Sequence, residues 1–283
     1  MIDPTIERFL PGLEVDSHKA STGVAYLSHG EGEPLVLFHG GSGSWTHWVR
    51  NIEPLGRSFR VTALDAPGFG ASDAVDADIE NDAYLELIFR AVDEATRGAK
   101  RVHVAGFSFG GSLASATAVH LGPRAASIFL TGAAGFGPST GRSLGLVSTR
   151  RQREELGRTP TDAELHALYR NNLGRLMIWD QAKVDDKAVD MQAENVARTR
   201  FNSRRFSWSG MTPVWLSQTD CPLYVMYGEH DAAAYPSIQG RLDQCREARP
   251  DGQQHIVPEC GHWVMYERPD VQNATMLAFH GAV

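Results

Sequence analysis

Ser108 stands between two glycines in Gly106-Phe107-Ser108-Phe109-Gly110, with the apolar run Val102–Ala105 before it and small, apolar residues after it. A serine hydroxyl becomes a useful nucleophile only when a neighbouring base takes its proton. G-x-S-x-G between a strand and a helix is the arrangement that exposes such a hydroxyl on a sharp, strained turn. The glycines remove Cβ atoms where strand and helix come close, and Gly111 adds a further small position. In this topology the acid and then the histidine follow the serine along the chain. Leu223–Asp231, LYVMYGEHD, reads as a strand, a glycine and an acid at the strand's C-terminal end, where parallel sheets place ligand chemistry. Asp231 is therefore the expected orienting acid, and Glu229 and Asp220 are its competitors. Cys260-Gly261-His262-Trp263 lies between the last apolar run and the final helix, which makes His262 the expected base. His39, His47, His103, His120 and His166 precede the acid and are expected to be structural, His39 being the one placed to line the site.

Acyl transfer also needs hydrogen-bond donors for the developing oxyanion. His39-Gly40-Gly41-Ser42-Gly43 follows the first strong strand, and its glycines let backbone amides turn toward the serine. One donor is expected from Gly41 or Ser42 and the other from the amide of Phe109. A phosphate-binding loop is disfavoured, because the G-x-G-x-x-G spacing and the lysine of a P-loop are missing.

These residues need a sheet to hold them. Pro34–His39, Phe59–Asp65, Arg101–Phe107, Ala126–Thr131 and Leu223–Tyr227 are short, continuously apolar runs, as strands covered on both faces require. His255–Pro258 is a weaker candidate for a last strand. Leu85, Ile88, Phe89 and Val92 share one helical face, Ser112–Leu121 reads as a helix tucked against a sheet, and Asp270–Phe279 as a final helix entered through Pro269. Strands alternating with helices predict an α/β fold with a mostly parallel, doubly wound sheet. From about Gly135 to Thr212 the rhythm breaks into charged helical patterns, one around Leu165, Leu168, Tyr169 and Asn172, another over Val184–Arg200. The expected organisation is a core of residues 1–134 and 213–283 with a helical lid inserted over 135–212. Insertions of that length usually wall a binding site; a decoration without catalytic consequence is the plainer alternative.

The 283 residues are 42% hydrophobic and 22% charged, with a net charge of −7, which suits a globular protein and disfavours a nucleic-acid partner. Cys221, Cys245 and Cys260 have no metal-ligand spacing and are too sparse for a disulfide framework. MIDPTIERFLPG lacks a basic segment followed by an apolar stretch, and no run is long enough to span a bilayer. A cytoplasmic protein without metal or organic cofactor is expected, acting on a small molecule, with a homodimer as a further possibility and no membrane partner.

The motifs HGG at 39–41, DAPGFGASD at 65–73, GFSFGG at 106–111, GEHD at 228–231 and GHW at 261–263 together resemble the α/β-hydrolase family. The resemblance implies that Asp65 serves the fold rather than catalysis. The serine nucleophile sets the chain apart from the haloalkane dehalogenases and epoxide hydrolases, which use aspartate. LTGAAGFGPS at 130–139, LMIWDQAKVDDKAVDMQAENVARTR at 176–200 and CGHWVMYERPD at 260–270 resemble more closely the meta-cleavage product hydrolases, which cleave a C–C bond in ring-opened aromatic compounds. The expected substrate-binding set is Gly40 and Phe107 beside the nucleophile, Trp179 and Gln192 in the lid, and Trp263 after the histidine; the Trp is typical of that family, whereas Phe107 stands where the family often has Asn or a small residue. Gln192 falls where that family carries a lid arginine for the substrate carboxylate, with Arg198 and Arg200 a turn or two further on. The alternatives are an ester, lactone or amide hydrolase using the same catalytic groups, and a ligand-binding protein that has lost catalysis.

Overall fold

The computed structural model describes residues 3–138 and 144–283. Residues 139–143 of the expected insertion, including the last residue of the 130–139 motif, lie outside the described residues, as do the first two of the N-terminal segment.

Among the described residues the sheet has eight strands: β1 (Asp16–Lys19), β2 (Ala25–His29), β3 (Pro34–Phe38), β4 (Arg60–Leu64), β5 (Val102–Phe107), β6 (Ala125–Thr131), β7 (Leu223–Gly228) and β8 (Gln253–Val257). Their order is β1-β2-β4-β3-β5-β6-β7-β8. From β4 to β8 neighbouring strands are parallel. The six apolar runs read from the sequence supply β3 to β8, and the reason is burial on two faces. Leu35, Leu37, Phe107 and Phe129 enter one apolar cluster, while Val36, Phe38, Val104 and Ile128 alternate with them into the other. β1 and β2 were not expected. They are antiparallel additions at one edge, and all four residues of β1 (DSHK) are exposed, so pairing rather than burial forms that strand.

The helices are α1 (Pro4–Phe9), α2 (Ile52–Gly56), α3 (Asn81–Ala95), α4 (Phe109–Leu121), α5 (Thr149–Leu156), α6 (Asp162–Leu176), α7 (Asp186–Ala197), α8 (Arg204–Ser207), α9 (Met211–Leu216), α10 (Ile238–Ala248), α11 (Val264–Glu267) and α12 (Pro269–Gly281). α3 buries Tyr84, Leu85, Ile88 and Val92. Phe89, expected on that face, is only half-buried and stacks on His120 instead, ring centroids 4.4 Å apart. α4 is apolar on every side because it lies against β5, and it buries even its serines and threonine. Between β6 and β7 the described residues hold α5 to α9 and no strand. Well-formed caps start two of these helices: Thr161 and Glu164 make a capping box on α6, and the Asp185 side chain accepts the Ala188 amide on α7. The 212/213 boundary of the sequence reading cuts α9. That helix packs on the sheet side, with Leu216 buried in the α4 cluster and Thr212 Oγ1 donating to Ala134 O at 2.8 Å. No helix among the described residues is long and apolar enough to cross a membrane.

Candidate active site

Ser108 joins β5 to α4 with φ 52° and ψ −117°, a backbone region costly for any residue with a side chain. Its neighbours impose that conformation. The Ser108 amide donates to Thr131 O at 3.0 Å, and its carbonyl accepts from the amides of Gly111 at 2.8 Å and Ala134 at 3.0 Å. The flanking glycines are required by contact. A Cβ on Gly106 would lie 2.2 Å from Gly110 O, and one on Gly110 would lie 2.3 Å from Phe38 O. The strained turn presents Ser108 to a cavity of 330 Å³ that His262, Gly41, Ser42 and Phe107 also line. Among the described residues Ser108 Oγ makes no hydrogen bond, so its lone pairs and proton are left for a ligand or for the histidine.

Asp231 lies three residues beyond the end of β7, where the loop folds back on its carboxylate. Oδ1 accepts the amides of Ala233 at 2.8 Å and Ala234 at 3.1 Å, and Oδ2 faces His262 Nδ1 at 2.8 Å. Both side chains are buried. A carboxylate only accepts, so Nδ1 carries the imidazole proton and Nε2 keeps its lone pair. This is the pairing that turns a histidine into a base of fixed tautomer. Gly132, with φ 55°, makes room for the pair: a Cβ there would lie 2.9 Å from His262 Nδ1. Glu229 and Asp220 are exposed, and Glu229 accepts the Glu259 amide at 3.0 Å instead.

Two buried histidines shape the glycine loop. His39 Nδ1 donates to Gly40 O at 2.7 Å while its Nε2 accepts the Ala66 amide at 2.9 Å. Burial lowers its pKa to about 4, which keeps it neutral and able to accept. His47 Nδ1 accepts the Gly40 amide at 3.1 Å, and burial holds that ring well below the usual histidine range. The Gly40 amide is thus consumed, while Gly41 and Ser42 line the cavity, Ser42 with φ 47°. Their amides meet no acceptor among the described residues. The Phe109 amide opens α4 and has no partner within the helix. His39, expected close enough to line the site, braces the loop from behind. Asp65 likewise accepts the amides of Trp45 at 2.7 Å and Ala71 at 2.8 Å, and burial raises its pKa to about 7.

The expected substrate-binding set divides. Phe107 lines the cavity. Gly40 lies behind it, where a Cβ would come 2.9 Å from the Phe107 ring. Trp263 does not wall the cavity: it is buried, stacks on Tyr266 and donates from Nε1 to His47 O at 2.9 Å. Trp179 is 52% exposed and stacks on His230 outside the cavity. Gln192 on α7 does not reach it either. Arg198 is bound to Asp3 and Glu194, and Arg200 to the carbonyls of Gly70 and Ser72. The inserted segment reaches the cavity through Leu176, Met177, Ser203, Arg204 and Trp208 instead, and the chain after Asp231 through Tyr235 and Arg241. Arg241 is buried and donates to Ala133 O at 2.9 Å and Ala233 O at 2.7 Å. These residues come from separate segments with no shared motif. The signal that pointed nearest was the unpaired basic and aromatic run Arg204-Arg205-Phe206-Ser207-Trp208.

Residues 35–275 match the model of the alpha/beta hydrolase family. The chain is 27% identical over 262 residues to a 2-hydroxy-6-oxo-6-phenylhexa-2,4-dienoate hydrolase of Burkholderia cepacia, covering 88% of both chains. It is similar to the solved structure of a meta-cleavage product hydrolase, CumD, from Pseudomonas fluorescens IP01, with a TM-score of 0.73, 25% identity, and 94% and 97% of the two chains covered. Carboxylesterase CesB of Bacillus subtilis shares the fold at a TM-score of 0.73 and 21% identity, over 99% and 95% of the two chains.

Proposed function

The chain belongs to the alpha/beta hydrolase family, and from that premise we propose a serine-type hydrolase that cleaves a C–C bond in a ring-opened aromatic acid. In this reading His262 Nε2 takes the Ser108 proton as Oγ attacks the substrate carbonyl, and Asp231 stabilises the imidazolium. Amides of Gly41 or Ser42 and of Phe109 receive the oxyanion. For a vinylogous 1,5-diketone the enol proton first moves to carbon, with the same imidazole as carrier. The carbon that later leaves then departs as an enolate rather than as a vinyl carbanion. The collapse breaks the C–C bond, and water, activated by His262, releases the acyl group from Ser108. Within the inserted segment, residues 144–208 act as the lid, since Leu144, Leu176, Met177, Ser203, Arg204 and Trp208 line the cavity beside Ser108.

The observation that carries the choice of substrate is the charge of the cavity. Arg204 and Arg241 line it, and no aspartate or glutamate does so among the described residues. Arg204 lies over the Trp208 ring at 5.1 Å and has no carboxylate partner among the described residues. Arg204 is an exposed guanidinium over an aromatic ring, beside a cavity that Phe107, Leu176 and Met177 line together with Ser42, Ser203 and Ser207, an arrangement that suits a flat, conjugated carboxylate. The chemistry of the related dienoate hydrolase points the same way. The test compares kcat/KM for 2-hydroxy-6-oxo-6-phenylhexa-2,4-dienoate with that for p-nitrophenyl acetate. The dienoate is expected to be the better substrate. Rapid ester turnover with no C–C cleavage would replace this reading by a carboxylesterase.

A further inference from the structure

Glu267 is a buried carboxylate that no part of the proposed chemistry uses. It has no arginine or lysine partner among the described residues. Three backbone amides bind it instead: Trp179 at 3.0 Å and Gly261 at 2.8 Å on Oε2, and Asp180 at 2.7 Å on Oε1. Burying a carboxylate is costly unless it is fully hydrogen-bonded, so this cluster of donors has been assembled around the charge. The donors come from two segments far apart in sequence. Trp179 and Asp180 follow α6 in the inserted segment, and Gly261 precedes the histidine of the site.

Further bonds close the same knot. The Trp263 amide donates to Met177 O at 2.7 Å, and the His230 amide to Cys260 O at 2.8 Å. The Trp179 ring stacks on His230, centroids 3.7 Å apart, next to Asp231. Glycines permit the approach: a Cβ on Gly261 would lie 2.7 Å from the Trp179 nitrogen, and one on Gly228 2.0 Å from Gly261 O. The histidine loop, the acid loop and the inserted segment are therefore held as one unit. Leu176 and Met177, directly before the clasped residues, line the cavity.

We propose that Glu267 is a positioning residue: its carboxylate clasps residues 179–180 to Gly261, so that the inserted segment over the cavity sets where His262 stands relative to Ser108. The inference rests on the reading of Ser108 and His262 as nucleophile and base. A substrate pressing on Met177 loads the same backbone that holds the base, so lid position and proton transfer are linked through the Glu267 clasp and the Trp263–Met177 bond beside it.

E267Q keeps the shape of the side chain but turns one acceptor into a donor that faces amide hydrogens. The full chain is titrated with a fluorophosphonate to count reactive Ser108 sites, and kcat and KM for p-nitrophenyl acetate are then expressed per titrated site. For folded E267Q, kcat per site is expected to fall about ten- to a hundredfold, the cost of misplacing a catalytic group by a fraction of an ångström. KM is expected to change less than about threefold, since the cavity lining is retained. A residue that only stabilises the fold would lower the melting temperature or the number of reactive sites and leave kcat per site unchanged, and that result overturns the proposal. If E267Q does not fold, E267D, which keeps the charge on a shorter stem, must show the same loss in kcat per site; unchanged turnover overturns the proposal equally. Wild-type protein that fails to label at Ser108 overturns the serine reading and the clasp with it. Normal labelling with undiminished kcat per site in the variant overturns the clasp alone.

Discussion

At the scale of single residues, the site is built from side chains with separate duties that look alike in sequence. His262 and His39 are both buried imidazoles beside glycines, yet one faces a carboxylate and the other a backbone amide. In both a partner fixes the proton on Nδ1, but the Ala66 amide occupies Nε2 of His39, whereas Nε2 of His262 has no hydrogen-bond partner among the described residues and the ring lines the cavity. Removing the proposed nucleophile isolates the role of Ser108. Ser108→Ala is expected to lower kcat by about a thousandfold or more and to abolish fluorophosphonate labelling, as measured by turnover and mass spectrometry. Residual labelling at full rate would assign the reactive hydroxyl elsewhere. Arg204 is the residue whose loss separates an acid substrate from a neutral one. Arg204→Gln is expected to lower kcat/KM for the dienoate by about ten- to a hundredfold, the weight of a charge-assisted hydrogen bond. The loss for p-nitrophenyl acetate is expected to be smaller. Equal losses on both substrates would remove Arg204 from carboxylate recognition.

At the scale of elements, the turn between β5 and α4 shows how a local pattern becomes a geometry. Gly106 and Gly110 are needed because backbone carbonyls occupy the space where their Cβ atoms would be. Gly110→Ala places a methyl against Phe38 O at the end of β3, an atom that cannot swing aside. It is expected to cost about 1–3 kcal/mol of stability, read from urea unfolding, and to slow Ser108 labelling because the turn must open. An alanine tolerated with unchanged unfolding would show that β3 and α4 can separate freely. Elements also mark where the sequence was hard to read. β1 is polar and exposed, α8 is four residues long, and neither carries a periodicity of its own. Both form because neighbouring segments supply hydrogen bonds and packing, which a window of local sequence does not contain.

At the scale of the whole molecule, burial of histidines couples the fold to pH. His39, His47 and His280 are held below the ordinary value of 6.5, in each case first by burial. Their neutral forms are favoured in the folded chain, so unfolding takes up protons below about pH 6.5, and stability is lost as the pH falls from there. For His39 the loss continues to about pH 4. Asp65 opposes them. Its carboxyl is raised to about 7 by burial, so it binds a proton in the folded state over the same range. His103 is held below the ordinary value by burial as well, so the histidines outnumber Asp65 and unfolding on balance takes up protons as the pH falls below about 6.5. Denaturant unfolding at pH 7, 6 and 5 checks the sign, and equal stability at all three would mean that these rings are protonated in place. Turnover of the intact protein therefore has an acid limit set by its fold.

Local residue type and spacing were enough to read the sheet's buried strands, the turn at Ser108 and the candidate order of serine, acid and histidine. Each of these is written in local type and spacing: continuous apolar runs, glycines around a serine, an acid and a histidine at the ends of strands. The role of Asp65 came instead from the family resemblance, and its carboxylate accepts the amides of Trp45 and Ala71. The tertiary structure decided what faces the cavity. Trp179, Gln192 and Trp263 are turned away from it, while Arg204, Trp208, Met177, Tyr235 and Arg241 line it. The physical reason is that the glycines and serine of the Ser108 turn stand side by side in the chain, whereas a pocket wall is wherever distant helices pack. Glu267 belongs to the same class: nothing in the run Met265–Pro269 announces that its carboxylate will meet amides from two segments, because those amides converge only after the chain has folded.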